Sequence, residues 1–241
     1  MSTRETTGRP VHEPHRTGTA AKLNWLRAGV MGANDGIVST AGLVVGVAAA
    51  TTEVPAILTA GFAGLSAGAV SMALGEYVSV SAQRDTERAM LRIERRELEQ
   101  MPEAELEELT GLLQAKGLEP DTARAAAEEL TERNALAAHA EVELGIHPDE
   151  LANPWAAALS SAVSFIVGAL VPLLVVVLPP EHLRVPITFV AVLVALALTG
   201  TISASLGGAR RVRAVVRVVI GGAIAMAVTF GVGYLFGTTV G

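Results

Sequence analysis

The sequence predicts an all-α polytopic membrane protein with five transmembrane helices and a helical cytosolic metal-binding insert. Three observations carry this reading. Of 241 residues, 51% are hydrophobic, and the mean hydropathy is +0.46, too apolar for an ordinary soluble domain. Five stretches reach the ~20 mostly apolar residues that a spanning helix needs. Charge is also segregated: from Arg84 to Glu150 there are 18 acidic and 8 basic residues, against 6 acidic and 10 basic elsewhere.

The spans are read as Leu26 to Ala50, Val54 to Val80, Pro154 to Leu178, Pro186 to Leu206 and Val212 to Phe236. Pro179-Pro180 and Gly207-Gly208 are breaks, and Pro172 is expected to kink the third span. The organisation that follows is a polar tail over residues 1–23, expected to be disordered. Spans one and two then fill 24–83, the acidic insert 84–150, and spans three to five 151–241. A secretory signal peptide is the competing reading of the first span, because Ala48-Ala49-Ala50 resembles a cleavage site. The long leader and Asp35 inside the apolar stretch argue against it.

Lys and Arg in the short loops set the orientation. Arg4, Arg9, Arg16, Lys22 and Arg27 precede span one, and Arg210, Arg211, Arg213 and Arg217 surround the start of span five. The loop after span one has no basic residue, and the loop after span three has only Arg184. The N-terminus and residues 84–150 are therefore expected in the cytosol, the C-terminus on the other side, and the chain in the cell (plasma) membrane.

Asp35 lies inside span one, where a central Asp costs roughly 2.5–3.5 kcal/mol on insertion scales. Such a residue usually faces the bundle interior and binds something. Met31 is one turn earlier on the same face, and Asn34 is adjacent. In span two, Gly61, Gly64, Gly68, Ser71 and Gly75 form one stripe of small residues that permits close helix packing. Met72 and Glu76 flank it. Asp35, Met72 and Glu76 together suit a route for a borderline-soft divalent ion. Core or lipid packing for Met72, simple solvation for Glu76 and a purely structural buried acid for Asp35 are the plainer alternatives.

In the insert, one helix continues out of span two toward Met101, a second runs from Pro102 to Gly117, and a third starts with Asp121 as its N-cap. Glu94 and Glu97 share a helix face, as do Glu105 and Glu108. A turn near Pro102 folds the two pairs together into an oxygen cage for a divalent metal, with His139, Glu141 and Glu143 available to close it. The plainer reading is a solvated acidic surface, with Arg88, Arg92, Arg95 and Arg96 in ordinary i,i+4 pairs. His12 and His15 in the tail are further possible metal contacts, though solvated histidines are commoner there. The chain has no cysteine, so thiolate sites and disulfides are excluded. There is no phosphate-binding Gly loop with Lys, no Ser/His/Asp set, and nothing that suggests nucleic acid.

Gly32-Ala33-Asn34-Asp35-Gly36-Ile37-Val38-Ser39-Thr40 resembles the first span of the vacuolar iron transporter family. Ser71-Met72-Ala73-Leu74-Gly75-Glu76-Tyr77-Val78-Ser79-Val80 is similar to its second-span signature, and Gly221-Gly222-Ala223-Ile224-Ala225-Met226 with the preceding Arg-rich loop to its last span. The resemblance covers about residues 20 to 240. It implies a bacterial member acting as a homodimer, with the ion path between the two copies. It implies no cofactor, but divalent metal as cargo: Fe2+, with Mn2+ related, exported from the cytosol in exchange for protons. It also implies metal capture by Glu94, Glu97, Glu105, Glu108 and Glu143, and a pore built on Asp35 and Met72. Some members place two methionines just before the later glutamate. Here His139 and Ala140 stand there, leaving a ring nitrogen and no sulfur. Three other classes compete: a membrane-anchored metal store, a ferroxidase, and a transporter of non-metal solutes.

Overall fold

The computed structural model describes residues 19–240. The tail histidines His12 and His15 lie outside the described residues. Seven helices follow in order: α1 (Thr19–Ala50), α2 (Val54–Gln100), α3 (Pro102–Ala115), α4 (Pro120–Val142), α5 (Pro154–Val177), α6 (Glu181–Leu206) and α7 (Arg211–Val240). A single 3-10 turn, Pro148–Glu150, precedes α5, and there is no strand among the described residues. Five helices, α1, α2, α5, α6 and α7, are long and apolar enough to cross a bilayer. The chain is a multi-pass membrane protein.

Proline sets most of the helix starts. Pro55, Pro102, Pro120 and Pro154 each fall at the first or second helical position, where the missing N–H would have no partner anyway. This displaces one expected cap. Pro120 is the first residue of α4 and Glu119 its N-cap, so Asp121 falls in the first turn instead, where its charge still complements the helix dipole. α5 remains one helix through Pro172. α6 begins at Glu181, five residues before Pro186. Pro180 supplies the break, and Pro186 in the second turn forfeits one backbone bond. α1 starts at Thr19, inside the stretch assigned to the tail, because Ala20, Ala21, Lys22 and Leu23 are good helix formers continuous with the span.

α1 is the axis of the bundle and packs against α2, α5, α6 and α7. On one side Ile37, Ala41 and Val45 meet Val192 and Leu196 of α6 and Met226 of α7. On another, Val44 meets Ile57 of α2 and Leu173 and Val176 of α5. The α1–α5 contact is close enough to require glycine. A Cβ at Gly36 would strike the backbone oxygen of Phe165, and one at Gly168 that of Ala33. At the opposite end from α3 and α4, buried Arg184 donates from Nη1 to the Thr52 carbonyl at 3.0 Å. This ties α6 to the α1–α2 loop.

α2 has 47 residues, about 70 Å at 1.5 Å per residue. A hydrocarbon core of ~30 Å consumes less than half of that. The rest projects out of the bundle and carries α3 and α4 against it. That unit has an apolar core of its own, built on Leu109, Leu113, Ala123, Ala127 and Ala138.

Candidate metal centre and membrane cavity

The projecting unit converges on His139. α2 ends where Met101 N–H reaches the Glu97 carbonyl at 2.7 Å, and α3 starts at once, with Glu105 N–H on the Met101 carbonyl at 3.0 Å. This tight reversal brings Glu105 back beside Glu94. α4 supplies the third side, but not as one straight helix. Asn134 has extended backbone (φ −169°, ψ 92°) inside it, and its Oδ1 accepts from Ala137 N–H at 3.0 Å. Asn134 therefore acts as the N-cap of a second helical segment, and this break re-aims the turn that holds His139 and Glu143. Lys116 Nζ donates to the Val142 carbonyl at 3.0 Å and fastens the end of that segment to α3.

The result is a cluster whose three central groups are shielded from solvent, with Glu143 exposed at its edge. His139 Nδ1 lies 3.0 Å from Glu94 Oε1, 3.6 Å from Glu105 Oε2 and 3.6 Å from Glu143 Oε2. His139 is 0% exposed, Glu94 3% and Glu105 5%. One ligand atom each from Glu94, Glu105 and His139 fit within 4.8 Å of one another. Neither nitrogen of His139, nor Glu94 Oε1, has a hydrogen-bond partner among the described residues. Buried polar groups are normally satisfied, so this set is arranged around something other than itself. An imidazole and carboxylates are ligand types suited to Fe, Zn, Mn and their neighbours.

Electrostatics agree. Burial, then the charges of Glu143, Glu105, Glu97 and Glu108, push the Glu94 carboxyl up to about 7. Burial, followed by Glu108, also raises Glu105, while His139 pulls it down. A divalent cation would reverse each of the repulsive effects.

The expected residues are thus only partly assembled. Glu94, Glu105, His139 and Glu143 come together. Glu97 is half-buried and Glu108 exposed; they act on the cluster through their charge. Glu141 is exposed and outside it. The plainer pairing of the acids with Arg88, Arg92, Arg95 and Arg96 does not form: the ion pairs among the described residues are Arg124 with Glu128 and the three contacts of His139.

On the open face of α1 and α2, Asp35 and Met72 line one cavity of ≈220 Å³, together with Ser39, Thr40, Ser71 and Phe165. Ser39 Oγ donates to the Asp35 backbone carbonyl at 2.6 Å, and no hydrogen bond to the Asp35 carboxylate is found among the described residues. Ser39 was findable, being four residues beyond Asp35 on a helix; Thr40, five residues on, is not signalled by that spacing. Phe165 comes from α5 and had no local signal. Asn34, beside Asp35, accepts from Thr199 Oγ1 of α6 at 2.6 Å. Glu76 is half-buried one turn beyond Met72 and does not line the cavity. Glu76 and Glu94 are 18 residues apart on the unbroken α2, five turns and about 27 Å, so they occupy the same helix face.

A sequence profile of the VIT family matches residues 26–234. A vacuolar iron transporter of Acanthamoeba castellanii is 46% identical, over 92% of this chain and 82% of the relative. The vacuolar iron transporter homolog 2.1 of Arabidopsis thaliana is 37% identical, over 95% of this chain and 90% of its own. The vacuolar iron transporter homolog 5 of Oryza sativa subsp. japonica is 40% identical, over 90% and 83%. The match runs from within α1 through most of α7 and takes in both the cluster and the cavity, and on that ground the chain belongs to the VIT family.

Proposed function

We propose that this protein exports Fe2+ from the cytosol, with Mn2+ as a second cargo, as a homodimer and in exchange for protons. One observation carries the reading: a buried, unsatisfied His/Glu cluster outside the membrane and an Asp/Met-lined cavity inside it share the single helix α2. The names of the relatives, iron transporters, agree with the cargo and with a transporter rather than an enzyme.

In this reading the metal is the substrate and no resident cofactor is needed. Glu94, Glu105, His139 and Glu143 take the ion from the cytosol, with Glu97 and Glu108 raising the local negative potential that draws it in. Because Glu94 holds its proton up to about pH 7, the arriving cation displaces that proton. The ion then passes Glu76 and enters the cavity at Met72 and Asp35. Asp35 is exposed in the single protomer, as a residue facing a second copy across a shared path would be. Protonation of Asp35 from the far side removes the negative charge that holds the ion, and so couples release to the opposing proton gradient.

The test is uptake into proteoliposomes, metal by metal, with an imposed pH gradient. Fe2+ uptake that rises with the gradient and is lost in Asp35→Ala supports the proposal. Binding without flux would make the protein a metal store, and oxygen consumption on adding Fe2+ a ferroxidase. Fractionation of the source cell tests the expected plasma-membrane location against the vacuolar membrane named for its relatives.

A further inference from the structure

A second cavity lies away from the Asp35 chamber, on the same side of the membrane as the α2–α4 unit. It is a groove of ≈330 Å³ between α1 and the end of α6, floored by Leu26, Val30, Met31 and Leu206, with Arg27 and Ser203 on its walls. Met31 and Leu206 are 55% and 52% exposed, so the floor is not covered by the described residues. Gly208, at φ +64°, closes α6 by letting Ala209 N–H reach the Ala204 carbonyl at 2.9 Å. The chain then runs directly into Arg210, Arg211 and Arg213, all exposed. Neither these arginines nor Arg27 has an ion pair among the described residues.

Aromatic side chains fix the depth of this groove. Trp25 precedes Arg27 by two residues, and Tyr77 packs on Trp155 at the same end of the bundle, ring centroids 4.7 Å apart. Trp and Tyr concentrate at the headgroup level of bilayers. Arg27 therefore lies at headgroup depth, and Met31, one turn on, about 6 Å deeper, where acyl chains begin. Arg27 on the wall is unpaired, the exposed Arg210–Arg213 turn begins three residues beyond Gly207 of the lining, and the floor is apolar and open. A metal ion is repelled by such a rim, and a zwitterionic lipid would set its own ammonium against the guanidinium groups.

We infer that this groove is a binding site for one anionic phospholipid of the adjoining leaflet. One acyl chain lies along Leu26, Val30, Met31 and Leu206, and the phosphate is held by Arg27 and the Arg210–Arg213 turn. Basic pockets between spanning helices on one side of a membrane recognise anionic headgroups in this way. The assignment does not depend on the cargo.

The test is native mass spectrometry of the purified full-length protein in detergent, titrated in parallel with phosphatidylglycerol and phosphatidylcholine. Phosphatidylglycerol is expected to bind about fivefold more tightly for each arginine engaged, and Arg27→Gln with Arg211→Gln to cut its preference over phosphatidylcholine about 25-fold. Met31→Trp, which fills the floor, should block both lipids; should that variant not fold, the arginine pair decides. Equal binding of the two lipids by the parent overturns the inference, as does a preference that the double substitution leaves undiminished. Loss of the lipid to an equal concentration of inorganic phosphate would mean a free-anion site and also overturns it. Because the chain has no native cysteine, a Met31→Cys variant also reports on a protein occupant. An efficient disulfide between two chains would place a second copy over the groove and sink the lipid assignment.

Discussion

His139 Nδ1 stands 3.0 Å from Glu94 Oε1, yet the histidine is fully buried and the contact lacks hydrogen-bond geometry. A buried polar atom left unsatisfied costs about 1–3 kcal/mol, and the cluster holds three of them. A cation between these groups would satisfy Glu94 Oε1 and His139 Nδ1 together, while Nε2 lies on the other side of the ring. Glu94→Gln or His139→Ala should therefore weaken Mn2+ or Fe2+ binding at least about tenfold, the lower end of what even outer-shell ligand changes cost. Glu97→Gln and Glu108→Gln, which alter only the surrounding charge, should cost less, and Glu141→Gln nothing. Isothermal titration of the purified protein reads this order. Equal effects at all five positions would show that the acids act as a diffuse surface.

The same cluster sets a pH dependence. The Glu94 carboxyl titrates at about 7 in the fold against 4.5 ordinarily. Between these values the folded chain keeps a proton that the unfolded chain has lost. Metal-free stability must then fall as pH rises from about 4.5 to about 7 and level off above that. Glu105 is shifted the same way and adds to the slope. Thermal unfolding in chelator across this range should show the decline, and a divalent cation at pH 7.5 should recover it. A metal-free stability that climbs over the same interval would contradict the cluster's geometry.

Much of this was legible in the sequence, for identifiable reasons. The spans are long apolar runs ended by Pro and Gly pairs, so their existence and order could be read directly. The pairing of Glu94 with Glu105 followed from helical spacing and the Pro102 reversal. The sequence pattern did not show that only one glutamate of each pair would be buried, because both members of an i,i+3 pair look alike until the third helix packs on them. Nor did it show that His139 would sit at the centre. That depends on the break at Asn134, and an Asn within an Ala- and Glu-rich helical run looks like an ordinary exposed residue. Phe165 reaches the Asp35 cavity through tertiary packing alone.

In the membrane cavity, charge and softness can be separated. Asp35→Asn keeps the shape and removes the charge, and should lower metal flux at least about tenfold, the equivalent of ~1.4 kcal/mol on the barrier. Met72→Leu conserves volume and leaves the carboxylate in place. It should fold normally and retain flux of Mn2+, a carboxylate-compatible ion, better than flux of softer cargo. Competition between metals in proteoliposomes measures this. Identical metal ranking in Met72→Leu and the parent would remove the thioether from the path.

Two glycines on neighbouring helices should respond oppositely to the same change. At Gly36 a Cβ meets the backbone of Phe165, which cannot rotate away, and its neighbour Ala169 on α5 is equally fixed. Gly36→Ala must push α1 from α5, and overpacking of this kind costs typically about 1–3 kcal/mol. Because α1 also carries Asp35 and touches every other span, flux should fall together with thermal stability. At Gly75 a Cβ meets nothing within 4 Å in the protomer, and alanine is the better helix former by roughly 1 kcal/mol. Gly75→Ala should therefore leave the folded protomer as stable as before or slightly more so. If it instead lowers the proportion of dimer seen by light scattering, the open face of α2 is where the second copy packs. Loss of monomer stability at Gly75 with tolerance at Gly36 would invert the packing described for α1, α2 and α5.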